Sequence, residues 1–237
     1  MAKSPNLPGA HRPGAPAPSE KIAAFLAEAT ARPPRAPGRR GRLIFALDAT
    51  MSRQPTWDLA CQSQAAMFAA ASRVGGLEVR LAYFRGHGEA RASRWVGDAA
   101  ALRGLMTGIA CHGGLTQIGR VLDDAARAAA EAPVAALVYV GDAMEEDLDA
   151  LCHKAGALAL RGTRAFMFLE GRDPAAERAF REIARLTRGV FLPFDARAGD
   201  ELAGLLGAIA TYAAGGRAAL ASASGSAARR LLADLRP

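Results

Sequence analysis

The chain has 237 residues, 51% of them apolar and 22% charged, with a net charge of +7, which suits one sizeable core with tails. No charge-free apolar run reaches the roughly 18 residues of a membrane span, and the first twenty residues lack the apolar stretch of a secretory signal. Residues 1–42 hold eight Lys/Arg against two Glu, and residues 216–237 four Arg against one Asp, so the middle of the chain is mildly acidic. That distribution argues against a nucleic-acid-binding face on the domain itself, while the basic ends leave room for weak contacts with acidic partners. Cys61, Cys111 and Cys152 are too few and too scattered for a disulfide framework. A cytoplasmic location, with neither membrane nor specific nucleic acid as partner, is the expectation.

Eight of the 13 prolines precede residue 42, so residues 1–41 read as a mostly disordered Pro/Arg-rich leader. A short amphipathic helix near residues 20–31 interrupts it, with Ile22, Phe25, Leu26 and Ala29 at helical spacing. It either covers the domain's own surface, the reading we prefer, or docks in a partner's groove. From residue 43 strands and helices alternate. Leu43–Asp48, Glu78–Phe84, Val134–Val140, Ala165–Leu169 and Gly189–Phe194 read as strands. Helices are expected over Trp57–Arg73, Asp98–Thr107, Thr116–Glu131, Asp147–Arg161, Ala175–Thr187 and Asp200–Ala213. Ala90–Val96, after Gly86 and Gly88, reads as an antiparallel return. This alternation predicts an α/β domain over residues 42–214. Its fold would be a doubly wound, mainly parallel, Rossmann-like sheet with one antiparallel edge strand and helices on both faces. Residues 215–237 read as a linker and a short terminal helix.

Two apolar runs end in acids, the first at Asp48 and the third at Gly141-Asp142. If the sheet grows outward from the first strand in both directions, these strands are neighbours and the acids meet where the order reverses, the usual ligand position of such sheets. An acid at a strand's end is also a common helix cap, so the pairing is the stronger evidence. Thr50 and Ser52 follow Asp48 at two-residue intervals, and Thr116 follows a Gly pair in "HGGLTQIG". Two carboxylates and three hydroxyls are hard donors suited to Mg²⁺ or Mn²⁺.

These residues resemble the metal-ion-dependent adhesion site of von Willebrand factor type A (VWA) domains, with its D-x-S-x-S pattern, distant Thr and distant Asp. "DATMS" supplies Asp48, Thr50 and Ser52, "GGLTQIG" supplies Thr116, and "VGDAMEED" supplies Asp142. Thr50 stands where the family usually has Ser, and Ala143 follows Asp142 where many members have Gly. The "PTWD" segment resembles a group of bacterial intracellular members. The resemblance implies an adaptor or assembly module, not an enzyme, in which a protein partner supplies a Glu or Asp to the metal.

The rival reading is a Mg²⁺-dependent phosphatase or phosphotransferase with Asp48 as nucleophile. It wants a second acid where Thr50 stands and a phosphate-holding lysine, and the lysines are Lys3, Lys21 and Lys154. No nucleotide-binding Gly-rich motif is present. The pairs Cys111-His112 and Cys152-His153 lack zinc-site spacing, and Cys61 and Cys152 are expected as small core residues. Glu145, Glu146, Asp147 and Asp149 are expected to serve the N-terminus of the helix they precede, rather than to rim the site. Trp57 either packs its helix start or anchors a partner.

Overall fold

The computed structural model describes residues 40–50, 54–195 and 199–235. The leader with its amphipathic segment lies outside the described residues, as do Met51, Ser52 and Arg53. The fold below is that of the described residues, all of which lie within Arg35–Pro237.

Six strands form one sheet: β1 (Gly41–Asp48), β2 (Leu77–Arg85), β3 (Glu89–Val96), β4 (Ala136–Gly141), β5 (Arg164–Glu170) and β6 (Val190–Phe194). Their order is β3-β2-β1-β4-β5-β6. All neighbours are parallel except β3, which returns antiparallel to β2 at one edge. The helices are α1 (Gln54–Ser72), α2 (Ala99–Thr107), α3 (Ile118–Glu131), α4 (Leu148–Leu160), α5 (Pro174–Leu186), α6 (Gly199–Ser222) and α7 (Ser226–Asp234). The doubly wound α/β class expected from the alternation is the one observed.

The unbroken apolar run of β1 follows from burial on both faces. Leu43, Phe45 and Leu47 point into one core layer with Trp57 and Met67 of α1, Met106 of α2 and Ile209 of α6. Ile44 and Ala46 point into the opposite layer with Leu122 of α3, Leu151 of α4 and Phe180 of α5. Asp98, Asp147 and Asp173 cap α2, α4 and α5, each accepting from the amide three residues on, at 2.8, 2.8 and 2.6 Å. These acids end the βα loops and fix where each helix starts.

The C-terminal segment differs from its expected form. Helix continues through the alanine-rich stretch to Ser222, broken only at Gly216, whose φ of 72° lies in the left-handed region. Alanine's helix propensity outweighs the scattered serines. The connection shrinks to the turn ending at Gly225, and α7 then docks, with Ala228, Leu231 and Leu235 joining the core layer of α1 and α6.

Leu231 is fully buried there, so Leu231→Ala should lower unfolding stability by about 2–5 kcal/mol. Urea denaturation checks this, and a change below about 0.5 kcal/mol, as at an ordinary surface position, would mean that α7 is not part of the core.

Candidate metal centre

The chain winds outward from β1 through β2 to β3, then resumes on the other side through β4, β5 and β6. The order therefore reverses between β1 and β4, and their carboxyl ends line the crevice where such sheets take ligands. Leu47 pairs with Val140, so Asp48, one residue on, and Asp142, two residues on, leave adjacent strands at the same edge. Asp48 is 2% exposed and Thr50 8%, while Asp142 is half-buried.

The Thr50 amide donates to Asp48 Oδ1 at 2.8 Å, an Asx-type closure that turns the chain directly after the strand. It also keeps Thr50 beside the acid. A carboxylate this buried costs several kcal/mol unless its charge is compensated, and the amide supplies part of that compensation. The Ala49 amide donates to Phe84 O at 3.0 Å, and Ala49 O accepts from the His112 amide at 2.9 Å. The end of β1 is thus held between β2 and the loop that carries Thr116. Beyond the loop, Thr56 of α1 donates its hydroxyl to the Glu170 carboxylate at the end of β5.

Thr116 is 6% exposed, and backbone proximity positions its loop. A Cβ on Gly114 would lie 2.1 Å from Gly86 O, so only glycine permits this approach. The Leu115 amide donates to the same carbonyl at 3.3 Å, and Leu115 itself is 55% exposed beside the site. Gln117 Nε2 donates to Arg85 O and Gly86 O, both at 3.4 Å.

A feature the sequence reading missed joins the two halves of the edge. Glu145 Oε2 accepts from the Thr116 amide at 3.0 Å and from the Thr116 hydroxyl at 2.7 Å. The Glu145 amide donates to Thr116 Oγ1 at 3.2 Å. The next residue, Glu146, accepts from the Ile118 amide and, at 2.9 Å, from the Gly119 amide. It satisfies first-turn N–H groups of α3, whose N-cap Gln117 makes no side-chain cap bond. Burial pushes the Glu146 carboxyl above its ordinary value, against the opposing pull of the Gly119 and Ile118 amides. Of the four acids expected to serve the helix they precede, Asp147 and Asp149 do so. Glu145 and Glu146 instead cross to the start of α3, because the loop after β4 runs alongside it.

Other expectations resolve as follows. Trp57 is buried and donates through Nε1 to Met106 O at 3.3 Å, so it packs the start of α1. Cys111 is the buried cysteine, whereas Cys61 and Cys152 are half-buried, at helix positions whose faces reach partly to the surface. Among the described residues no three His, Cys, Asp or Glu side chains come together as a metal cage. The four described site residues bring two acids and two hydroxyls, an oxygen set that relies on the hydroxyls. No helix among the described residues is long and apolar enough to cross a membrane.

No family model matches the sequence, and no curated protein matches it. Solved structures do resemble the fold. A von Willebrand factor type A protein from Catenulispora acidiphila is 18% identical with a TM-score of 0.57, over 73% of this chain and 42% of that one. The SpRpn10 VWA domain is 10% identical with a TM-score of 0.54, over 67% of this chain and 89% of that one. Proximal thread matrix protein 1 from the mussel byssus, in a form whose metal-ion-dependent adhesion site motif is occupied by zinc, is 15% identical with a TM-score of 0.54, over 71% of this chain and 45% of that one. The chain thus spans less than half of two of these proteins and most of the third, and at such identities the likeness is one of fold.

Glu146→Ala would leave two first-turn amides of α3 without their acceptor, so it should cost about 1–3 kcal/mol of stability. Chemical denaturation in the presence of chelator measures this, and an unchanged midpoint would mean that water replaces the carboxylate at no cost.

Proposed function

We propose that this chain, which has a VWA-type fold, is a metal-dependent protein-interaction module whose metal captures a carboxylate from a partner. The observation that carries the reading is the β1–β4 pairing, which brings the acids Asp48 and Asp142 to one edge, with Thr116 on the loop fastened beside them. Asp48, Thr50, Ser52, Thr116 and Asp142 are the residues proposed to hold the ion, Ser52 on the strength of the sequence pattern alone. All five offer oxygen, which favours Mg²⁺ or Mn²⁺ over softer ions. Two carboxylates offset the charge of a divalent cation. The bound ion would supply a Lewis-acidic position for an external carboxylate. The exposed Leu115 offers that partner an apolar contact beside it.

The reading is one of binding rather than catalysis. The residue two after Asp48 is Thr50, not a second acid. Lys154, the lysine nearest the site in sequence, pairs with Asp123 across α4 and α3 instead of serving a phosphate. A cytoplasmic adaptor or assembly role fits the few, scattered cysteines and the acidic middle of the chain.

Titration calorimetry with Mn²⁺ should give one saturable site that Asp48→Ala abolishes; wild-type affinity in that variant would sink the proposed ligand set. Partner capture from native lysate should be lost on adding EDTA and restored by excess Mg²⁺. Bound proteins that do not respond to chelator would contradict the adhesion mechanism.

A further inference from the structure

Thr116 and Glu145 are 29 residues apart, yet three hydrogen bonds join them. A hydroxyl has one proton to give and two lone pairs. An ionised carboxylate only accepts, so the Thr116 proton lies along the 2.7 Å line to Glu145 Oε2. The Glu145 amide, at 3.2 Å, takes one lone pair. Among the described residues the second lone pair is then left for a cation, with the proton held away from it. The same Oε2 accepts from the Thr116 amide at 3.0 Å, which fixes the backbone carrying the hydroxyl. Glu145 lies three residues after Asp142, so the clasp also sets the loop bearing one proposed donor against the loop bearing another.

We infer that Glu145 is a positioning residue for the metal site: it orients the Thr116 hydroxyl so that a lone pair, and not the proton, faces the ion. The inference rests on the metal reading above and adds a residue outside the proposed ligand set. It differs from direct ligation by Glu145, which would need the carboxylate charge at the ion. Orientation needs only an acceptor oxygen, and Gln supplies one. Groups that orient metal ligands typically contribute about 10–100-fold in affinity.

The test is Mn²⁺ calorimetry on the full chain, with thermal unfolding in EDTA run alongside. Glu145→Ala should weaken Mn²⁺ binding about tenfold or more, with its unfolding curve in EDTA showing that it is still folded at the temperature of the titration. Glu145→Leu, which keeps side-chain bulk without an acceptor, should match it and stands in if the Ala variant folds poorly. Glu145→Gln should recover affinity to near the wild-type level. Wild-type affinity in the Ala and Leu variants overturns the inference. A Gln variant as weak as Ala also overturns it, since charge or ligation would then be the cause. Asp48→Ala separates the two levels of the reading. If it binds Mn²⁺ normally, the metal site itself fails; if it loses binding while Glu145→Ala does not, only the positioning role falls.

Discussion

The parallel pairing of β1 with β4 is the constraint on which the rest depends. β1 leads outward to β2 and β3, and β4 leads outward to β5 and β6. The two central strands therefore carry away their connecting loops in opposite directions, and a crevice opens between their carboxyl ends. From Leu43 in β1 and Ala136 in β4 each strand is buried to its end, so the chain turns polar at that edge. Asp48 appears at the first position where it can, still 2% exposed. A buried acid needs its charge compensated, and the Thr50 amide supplies part of that compensation.

The loops around the crevice are fastened to one another as much as to the sheet. The loop bearing Thr116 is bound to the end of β1 through Ala49, to the β2–β3 hairpin through Gly86, and to the loop after β4 through Glu145. Three segments distant in sequence are thus fixed to this loop, and the approach to Gly86 is one that a larger residue at position 114 would prevent. This is how a site built on loops can hold donors in register: the strands set the edge, and the cross-loop bonds set the side chains on it.

The fold was legible because its signals are long and local. Continuous runs such as "LIFAL" and "ALVYV", separated by helical stretches, admit little besides a parallel sheet with covered faces. The paired acids were legible for the same reason, each sitting where an apolar run stops. What escaped depends on long-range geometry. Glu145 and Glu146 precede α4 in the chain, and nothing local says that they bond to the start of α3. Thr56 and Glu170 lie 114 residues apart and carry no shared pattern. The short terminal helix was legible, but the linker expected before it is mostly helix, to Ser222, because the alanines around the serines and glycines sustain it. Gly114 and Gly86 offered a partial signal, since glycines flanking a predicted donor mark close approach, but not of which backbone to which.

Diffraction from crystals grown with Mn²⁺ tests the central claim most directly. The account predicts one anomalous peak between the carboxylates of Asp48 and Asp142, with Thr50, Ser52 and Thr116 oxygens in or next to its coordination shell at spacings on the order of 2.1 Å or one bridging water. An edge with no peak at saturating Mn²⁺, or a peak held by other residues, would contradict it.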